Sequence, residues 1–298
     1  MTAPDTFEAL RPRLLALGYR MLGTRADAED IVQDAWMRWQ RADRERVENA
    51  EAYLVRTVSR LCLDALKSAR MRRETYVGPW LPEPLIDLAG VEDDRSATIA
   101  SDISFGLMLV LERLSPAERA AFLLHDVFDL PFADIAGLLE TNEAACRQQA
   151  TRARKRIRDE RPRFPATAAE AETLAMAFFA AAGAGNVDGL KSMLRDEAVL
   201  YSDGGGKRKT ALNPIHGADS IARMLGGLAA KGRAAGNAAY RLGTVNGLPG
   251  VLLKLADGGY CCMALEISGG RVDGVYMIYN PDKLAAVDLD KVEWIMAG

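Results

Sequence analysis

Apolar residues recur at helical spacing through the first half of the chain. From about Thr6 to Thr75 they return every three to four residues without strand-like alternation, and no proline follows Pro12 in this stretch. The same pattern resumes at about Ile103 and continues to Arg161. We therefore predict two all-helical domains, over residues 1–75 and 105–162.

A proline-rich segment separates these helical stretches. Gly78-Pro79-Trp80-Leu81-Pro82-Glu83-Pro84-Leu85 spaces its prolines too closely for a helix, and an acidic stretch around Glu92 follows. We predict an extended linker over residues 76–104.

The pattern changes again at about Thr167. Two amphipathic segments, Glu172 to Ala182 and Val187 to Leu194, predict helices. Alternating segments separated by glycine-rich turns then predict a meandering sheet, with strands at Ala198–Ser202, Tyr240–Val245, Val251–Leu255, Tyr260–Ile267 and Val272–Tyr279. Residues 167–298 are thus expected to form an α+β domain.

Charge and cysteine content narrow the classes of function. The net charge of -3 argues against a protein that coats nucleic acid indiscriminately, yet arginines and lysines are dense between Arg147 and Arg163. No membrane-length apolar run or leader-like start is present, so we expect a cytoplasmic protein without membrane partners. Four cysteines without a CxxC pair predict packing residues and neither a metal nor a cofactor, with redox sensing as the alternative.

The basic region coincides with a helix-turn-helix pattern. Ser115-Pro116-Ala117-Glu118 predicts a capped helix start, a second helix is expected from Phe132 to Leu139, and Thr141-Asn142 supplies a turn before a third. The third helix would enter the major groove, or it would simply be a solvated basic face. Its candidate DNA contacts are Arg147, Gln148, Thr151, Arg152 and Lys155.

Two further faces precede this motif. Asp27, Asp30 and Asp34 share one helix face beside Trp36 and Trp39, which suits a protein partner, although tryptophans at this spacing are more often core. A basic edge with an aromatic residue follows, and it would hold a DNA strand or be an ordinary exposed face. Its residues are Asn49, Tyr53, Arg56, Arg60, Lys67 and Arg70.

Together these motifs resemble the extracytoplasmic-function sigma factors of the sigma-70 family. Asp27-Ala28-Glu29-Asp30-Ile31-Val32-Gln33-Asp34-Ala35-Trp36 is similar to the helix that binds the polymerase clamp, and Tyr53-Leu54-Val55-Arg56 to the minus-ten-reading region. The resemblance implies core RNA polymerase, through its beta-prime and beta subunits, and promoter DNA as partners. It implies polymerase contacts at Asp27, Asp30, Gln33, Asp34 and Trp36, and minus-thirty-five contacts on the third helix of the helix-turn-helix.

Three later motifs are Trp80-Leu81-Pro82-Glu83-Pro84-Leu85, Asp203-Gly204-Gly205-Gly206-Lys207 and Asn280-Pro281-Asp282-Lys283-Leu284. They resemble motifs of the sigma subgroup with a fused SnoaL-like domain, which has the nuclear-transport-factor-2-like fold. The resemblance implies that this domain modulates the sigma domains, with a small-molecule ligand as one open route. The residues it marks as regulatory are Trp80, Pro82, Pro84, Asp203, Gly204, Gly205, Gly206, Lys207, Asn280, Pro281, Asp282, Lys283 and Leu284. From spacing alone, the glycine triplet could equally be a hairpin turn, and Asn280-Pro281 the end of a strand.

Two other classes of function stay open from the sequence. An isomerase or hydrolase would need a positioned acid or base, and Tyr201, Asp203 and His216 show no spacing that brings them together. A DNA-binding repressor or activator would need no polymerase. One departure from the family pattern, Cys146 and Ala150 where larger aliphatic residues are common, leaves the minus-thirty-five specificity open.

Overall fold

The computed structural model describes residues 3–74, 76–88, 105–160, 167–235 and 239–285, together with 287, 289 and 292–296. The chain divides into two compact units. The helical unit comprises Met1–Thr75 and Thr98–Arg161, and the sheet unit comprises Tyr76–Ala97 and Pro162–Gly298. Among the described helices, none combines the length and the apolar character needed to cross a membrane.

The helical unit contains two groups of helices. The first group is α1 (Ala3–Leu22), α2 (Arg25–Arg41) and α3 (Ala50–Glu74). The second is α4 (Phe105–Arg113), α5 (Pro116–Phe122), α6 (Phe132–Leu138) and α7 (Glu143–Glu160), with a π-helical turn at Leu123–Val127. Ser115 and Glu118 form the predicted capping box at the start of α5, each satisfying a backbone amide at the helix end.

Both helical groups bury apolar residues. Leu17, Val32 and Val58, from α1, α2 and α3, are at most 2% exposed, so the three helices enclose one core. In the second group, fully buried Phe105 and Ile135 belong to α4 and α6. These cores fix the outward faces of α2, α3 and α7.

The sheet unit consists of one sheet with helices packed on it. Its strands are β1 (Ile86–Leu88), β2 (Leu194–Asp203), β3 (Ile215–His216), β4 (Ala239–Val245), β5 (Leu248–Lys254), β6 (Tyr260–Ser268), β7 (Arg271–Ile278) and β8 (Ile295–Met296). The order is β1-β4-β5-β6-β7-β2-β3, with β8 also paired to β4. The helices are α8 (Ala168–Ala184), α9 (Val187–Met193), α10 (Ala218–Ala235) and α11 (Pro281–Leu284). The predicted α+β class is confirmed.

The sheet unit differs from the sequence interpretation in its helices, in its strand pairing and in three further short strands, β1, β3 and β8. Helix α10, of 18 residues, is absent from that interpretation, which counted two helices before the sheet. Its buried stripe, including Ile221 and Leu225, packs in the same core as Phe178 and Leu200. In addition, β2 pairs with β7 in parallel, so the sheet is not a simple meander.

The described part of the predicted linker lies against the sheet. Residues 76–88, here called the linker segment, contain no helix, as expected from the prolines. However, Leu81, Leu85 and Leu88 are at most 5% exposed, and β1 pairs antiparallel with β4. The segment therefore behaves as part of the sheet unit, which the proline spacing alone did not indicate.

All four cysteines are buried and unpaired. Burial raises the pKa of the Cys261 thiol to about 12, and it also raises the pKa of the Cys62, Cys146 and Cys262 thiols. A buried thiol with a raised pKa holds little of the reactive thiolate. This environment fits packing residues better than redox sensors.

Candidate functional site

Helix α2 presents a continuous exposed face. Asp30, Gln33 and Asp34 are exposed, and Met37 completes the row at the next helical step with 41% of its surface exposed. Sequence reasoning did not single out Met37, although its spacing from Gln33 and Asp34 was available. An apolar side chain within an acidic row is typical of a protein-binding surface.

The other predicted polymerase contacts lie closer to the core. Asp27 sits in the first turn of α2, where its backbone amide donates to the Thr24 hydroxyl at 3.3 Å and its carboxylate accepts from that hydroxyl at 2.6 Å. Trp36 is half-buried with its ring 4.8 Å from that of Phe7. Asp27 and Trp36 thus help to build the helix that carries the exposed row.

The predicted minus-ten surface begins at the start of α3. The Asn49 side chain accepts from the Ala52 amide at 3.0 Å, so it caps the helix. Tyr53 is half-buried and lies 5.5 Å from the buried Trp39 ring. One turn later Arg56 is exposed, and Arg60 follows on the same face. The side chains of Lys67 and Arg70 lie outside the described part of the chain.

Helix α7 divides into a buried and an exposed face. Cys146 and Ala150 are fully buried. The candidate DNA contacts point outward, and all of them are exposed: Arg147, Gln148, Thr151, Arg152 and Lys155. Because Cys146 and Ala150 face the helix-turn-helix core, their small size affects packing beneath the recognition surface and not the surface itself.

Several arginines of α7 are paired within the protein. Arg154 makes a bidentate contact with Asp126, at 3.0 and 2.8 Å to one carboxylate oxygen. Arg156 lies 3.5 Å from Glu118 and donates to a backbone carbonyl of α4. Arg147 pairs with Glu143 on its own helix. Arginines of the basic stripe therefore make contacts within the protein, even where their side chains are exposed, as at Arg147 and Arg156.

In the sheet unit, the motifs predicted to be regulatory meet at one buried carboxylate. Asp203 has no exposed surface, and its carboxylate accepts four hydrogen bonds. The donors are the Tyr76 hydroxyl at 2.5 Å, the Leu81 amide at 2.8 Å, the Gly205 amide at 3.0 Å and the Lys283 ammonium at 2.7 Å. Two of these donors belong to the linker segment, so Asp203 binds it to the end of β2.

Lys283 completes this centre from α11. Its side chain is 8% exposed, and besides Asp203 it donates to the Leu81 carbonyl. The ammonium also lies over the Trp80 ring, 4.3 Å from its centroid, and 5.1 Å from that of Tyr76. A buried cation with this many partners fixes the position of the linker segment.

Asn280 and the glycine triplet support the same centre. The Asn280 amide nitrogen donates to the Tyr76 hydroxyl at 2.9 Å, and its oxygen caps α11 at Asp282. Gly205 has φ +59°, and a β-carbon there would collide with the Asn280 side chain. Burial, followed by the hydrogen bond to Asp203, raises the pKa of the Tyr76 hydroxyl, which keeps it a donor.

The remaining residues that were predicted to be regulatory lie near this centre in the sequence. Pro82, Pro84 and Leu284 are buried, whereas Gly206, Lys207 and Pro281 are exposed. Lys207 pairs with Asp282 at 2.7 Å across the surface, and both side chains are more than half exposed. Gly204 is buried, and its carbonyl closes a turn by accepting from the Lys207 amide.

A second attachment of the linker segment was not found from the sequence. The Leu85 amide donates to the Asn246 side chain at 3.0 Å, and the Asn246 amide donates back to the Leu85 carbonyl at 2.8 Å. Beyond it β1 pairs with β4, where a β-carbon on Gly243 would collide with the Asp87 carbonyl. The Leu85-Ile86-Asp87-Leu88 alternation is too short to predict such pairing.

The residues considered for catalysis each have their own surroundings. Asp203 is occupied by its four donors, the Tyr201 ring stacks 5.9 Å from that of Tyr276, and His216 is exposed on β3. Within the described residues, no group of three or more metal-ligating side chains is found. The hydrogen bonds of Asp203 attach the linker segment to the end of β2.

Comparison with known proteins agrees with both units. The sigma-70 region 2 model matches residues 6–72, and the sigma-70 region 4 model matches residues 105–157. The ECF RNA polymerase sigma factor SigJ of Mycobacterium tuberculosis is 40% identical over 292 residues, covering 95% of this chain and 93% of the relative. The probable sigma factor SigI of that species is 35% identical over 190 residues, covering 63% of this chain and 65% of its own length.

A solved structure extends this likeness to the fold. The crystal structure of Mycobacterium tuberculosis SigJ superposes with a TM-score of 0.78 and 38% identity, covering 96% of this chain and 99% of that chain. The match therefore includes the sheet unit as well as the two sigma-70 regions. With 40% identity along nearly the whole of a curated relative, the chain belongs to the extracytoplasmic-function sigma factors of RNA polymerase.

Proposed function

We propose that the chain brings core RNA polymerase to selected promoters as an alternative sigma factor, acting in the cytoplasm and making no covalent bond itself. The observation that carries the proposal is the pair of sigma-70 domains. The first has an acidic exposed row on α2 that suits a protein partner, and the second has basic and amide side chains on α7 that suit DNA. A sigma factor needs to bind polymerase and to favour promoter DNA over other DNA, and neither task requires a catalytic residue.

The exposed row of α2 is the proposed polymerase contact. Asp30, Gln33 and Asp34 would meet the clamp of the beta-prime subunit, with Met37 as an apolar anchor among them. Asp27 and Trp36 act by holding α2 in place, since both are engaged within the helical unit. The beta subunit is the expected neighbour of the helix-turn-helix domain.

Helices α3 and α7 carry the proposed promoter contacts. Along α3, Arg56 and Arg60 would hold the backbone of the minus-ten strand while Tyr53 offers a ring for stacking, and Lys67 and Arg70 extend the same helix. Along α7, the exposed arginine and glutamine side chains suit guanine and adenine edges in the major groove. Since these contacts neutralise phosphates, promoter binding should weaken as salt increases.

The sheet unit is the proposed regulator, acting through the linker that joins the two sigma domains. The Asp203–Lys283 centre and the Asn246 attachment both hold residues of this linker. Docked and released linker segments would be two states, and a ligand of the sheet unit would shift them only by its differential affinity. Polymerase binding to the linker could bias the same equilibrium.

Binding to core polymerase tests the proposed α2 contact. Asp34→Arg should weaken capture of the chain by purified core polymerase at low salt, because it reverses charge in the exposed row. Asp43→Arg makes the same reversal at an exposed residue after α2 and should leave capture unchanged. Equal losses from both variants would contradict the assignment of this surface.

Truncation tests the regulatory proposal. A chain ending after residue 163 keeps both sigma domains and loses the sheet that holds the linker segment. Its run-off transcription should differ from that of the full chain, and the sign of the difference tells inhibition from assistance. Equal transcription by both chains at equal occupancy of polymerase would refute regulation by the sheet unit.

A further inference from the structure

One candidate DNA contact of α7 is held by two other side chains of the helix-turn-helix group. The guanidinium carbon of Arg147 lies over the Phe132 ring, 5.5 Å from its centroid. The Nη2 atom of the same guanidinium donates to the Glu143 carboxylate, one turn earlier on α7. The Arg147 side chain is nevertheless 57% exposed, so it can reach a DNA partner from this held position.

Phe132 is itself held in place. It is the first residue of α6, directly after the N-cap Pro131, and it is half-buried. The His125 ring stacks on the Phe132 ring, with 3.9 Å between the ring centroids. Since a carbonyl can only accept, His125 Nδ1 donates to the Leu130 carbonyl, at 2.9 Å. Arg147 therefore rests on a ring whose own position is fixed by neighbouring groups.

The two contacts of Arg147 differ in what they leave available for DNA. The Glu143 carboxylate accepts from one N–H group of the guanidinium, which a base or phosphate would have to share or displace. The Phe132 ring attracts the positive charge through its π face, so it restricts the guanidinium without taking a carboxylate-type hydrogen bond from it. A support of this kind suits an arginine that needs two N–H groups to read guanine.

Restriction of the side chain should favour base contacts over phosphate contacts. An arginine side chain loses conformational entropy when it is fixed, and a ring that already restricts it in the free protein lowers this cost of binding. Bidentate bonding to a base edge depends strongly on direction, whereas a phosphate contact carries no sequence information. The benefit of the Phe132 contact should therefore appear at one base pair, the one that Arg147 reads.

We propose that Phe132 is a specificity-determining residue of this sigma factor, which positions Arg147 to read one base pair of the minus-thirty-five element. The inference rests on the proposed base contact of Arg147. A cation over an aromatic ring at an exposed site corresponds to about a two- to fivefold change in an equilibrium constant. Phe132→Leu, which keeps an apolar side chain and removes the ring, should therefore lower discrimination at that base pair about two- to fivefold.

Promoters with single base-pair changes in the minus-thirty-five element test this positioning. Holoenzyme formed from core polymerase and the full chain is titrated on each promoter, and Arg147→Ala identifies the base pair whose discrimination depends on Arg147. There Phe132→Leu should show the two- to fivefold loss, and Phe132→Tyr, which keeps the ring face, should retain the parent discrimination. Phe132→Leu added to Arg147→Ala should cause no further loss at this base pair.

The other base pairs of the element, including any that Gln148→Ala shows to depend on Gln148, are the matched control. Phe132→Leu should discriminate at them as the parent does. Equal weakening on every promoter would mean that Phe132 supports only the fold of the helix-turn-helix group, and it would overturn the proposal. If Arg147→Ala alters discrimination at no base pair, the proposed base contact of Arg147 fails. If Arg147→Ala does alter it and Phe132→Leu does not, the positioning alone fails.

Discussion

Replacing Lys283 by methionine removes the cation that faces the buried Asp203 carboxylate. Methionine keeps much of the side-chain length and apolar surface, so the main loss is charge and hydrogen bonding. The Asp203 carboxylate would keep its hydrogen bonds from Tyr76, Leu81 and Gly205, but its negative charge would be buried without a neighbouring cation. The contact of the ammonium with the Trp80 ring would also be lost.

The expected magnitude follows from burial. Removing one partner of a buried ion pair costs about 3–5 kcal/mol, whereas an exposed pair contributes about 0–1 kcal/mol. Lys283 and Asp203 are 8% and 0% exposed, whereas Lys207 and Asp282 are 55% and 63% exposed. Lys283→Met should therefore increase opening of the linker segment by roughly two to four orders of magnitude, and the control Lys207→Met by less than about tenfold.

Limited chymotrypsin digestion measures this opening directly. The linker segment carries Tyr76 and Trp80, which suit this protease, and both contact the Asp203 centre. Lys283→Met should be cut here far faster than the parent, and Lys207→Met at nearly the parent rate. Equal cleavage of the two variants would refute the assignment of Lys283 as the residue that holds the linker segment.

Three further changes have defined outcomes. Gly243→Ala should speed hydrogen exchange of β1 amides by displacing that strand, whereas Gly227→Ala, in open space on α10, should leave exchange unchanged or stabilise the helix by about 1 kcal/mol. On a minus-thirty-five duplex, Arg152→Ala should reduce the slope of the logarithm of the binding constant against the logarithm of the salt concentration by about 0.9. Arg154→Ala removes an arginine that is paired with Asp126 and should change this slope little. Burial raises the pKa of Glu266 in the folded protein above its value of about 4.5 in the unfolded chain, so the free energy of unfolding falls as pH rises above about 4.5. Glu266→Gln should remove that fall, as measured by chemical denaturation between pH 5 and 8.

The helical half was predictable because its signals are local. Helix periodicity, the Ser115–Glu118 capping box and the turn before α7 depend on residues a few positions apart, and each appears in the structure. The exposed and buried faces of α7 follow from the same period. Pairing of arginines such as Arg154 depends on a residue 28 positions away, which no local pattern reveals.

The attachment of the linker segment was not predictable for the same physical reason. Asp203 and Lys283 are 80 residues apart, and Leu85 and Asn246 are 161 apart, so their contacts exist only once the sheet has formed. Family resemblance marked the motifs without saying that they meet. Helix α10 was missed although its apolar residues recur at helical spacing, with Ile221 and Leu225 on one buried face, so the signal was present in the sequence.

Run-off transcription with start-site mapping tests the central claim most directly. Purified core polymerase with the full chain should give discrete transcripts from a promoter that core polymerase alone does not use, and a chain lacking residues 1–75 should give none. Two results would contradict this claim. One is that both chains give transcripts in equal amounts from the same start sites. The other is that the full chain gives no discrete transcription start at any promoter of its genome.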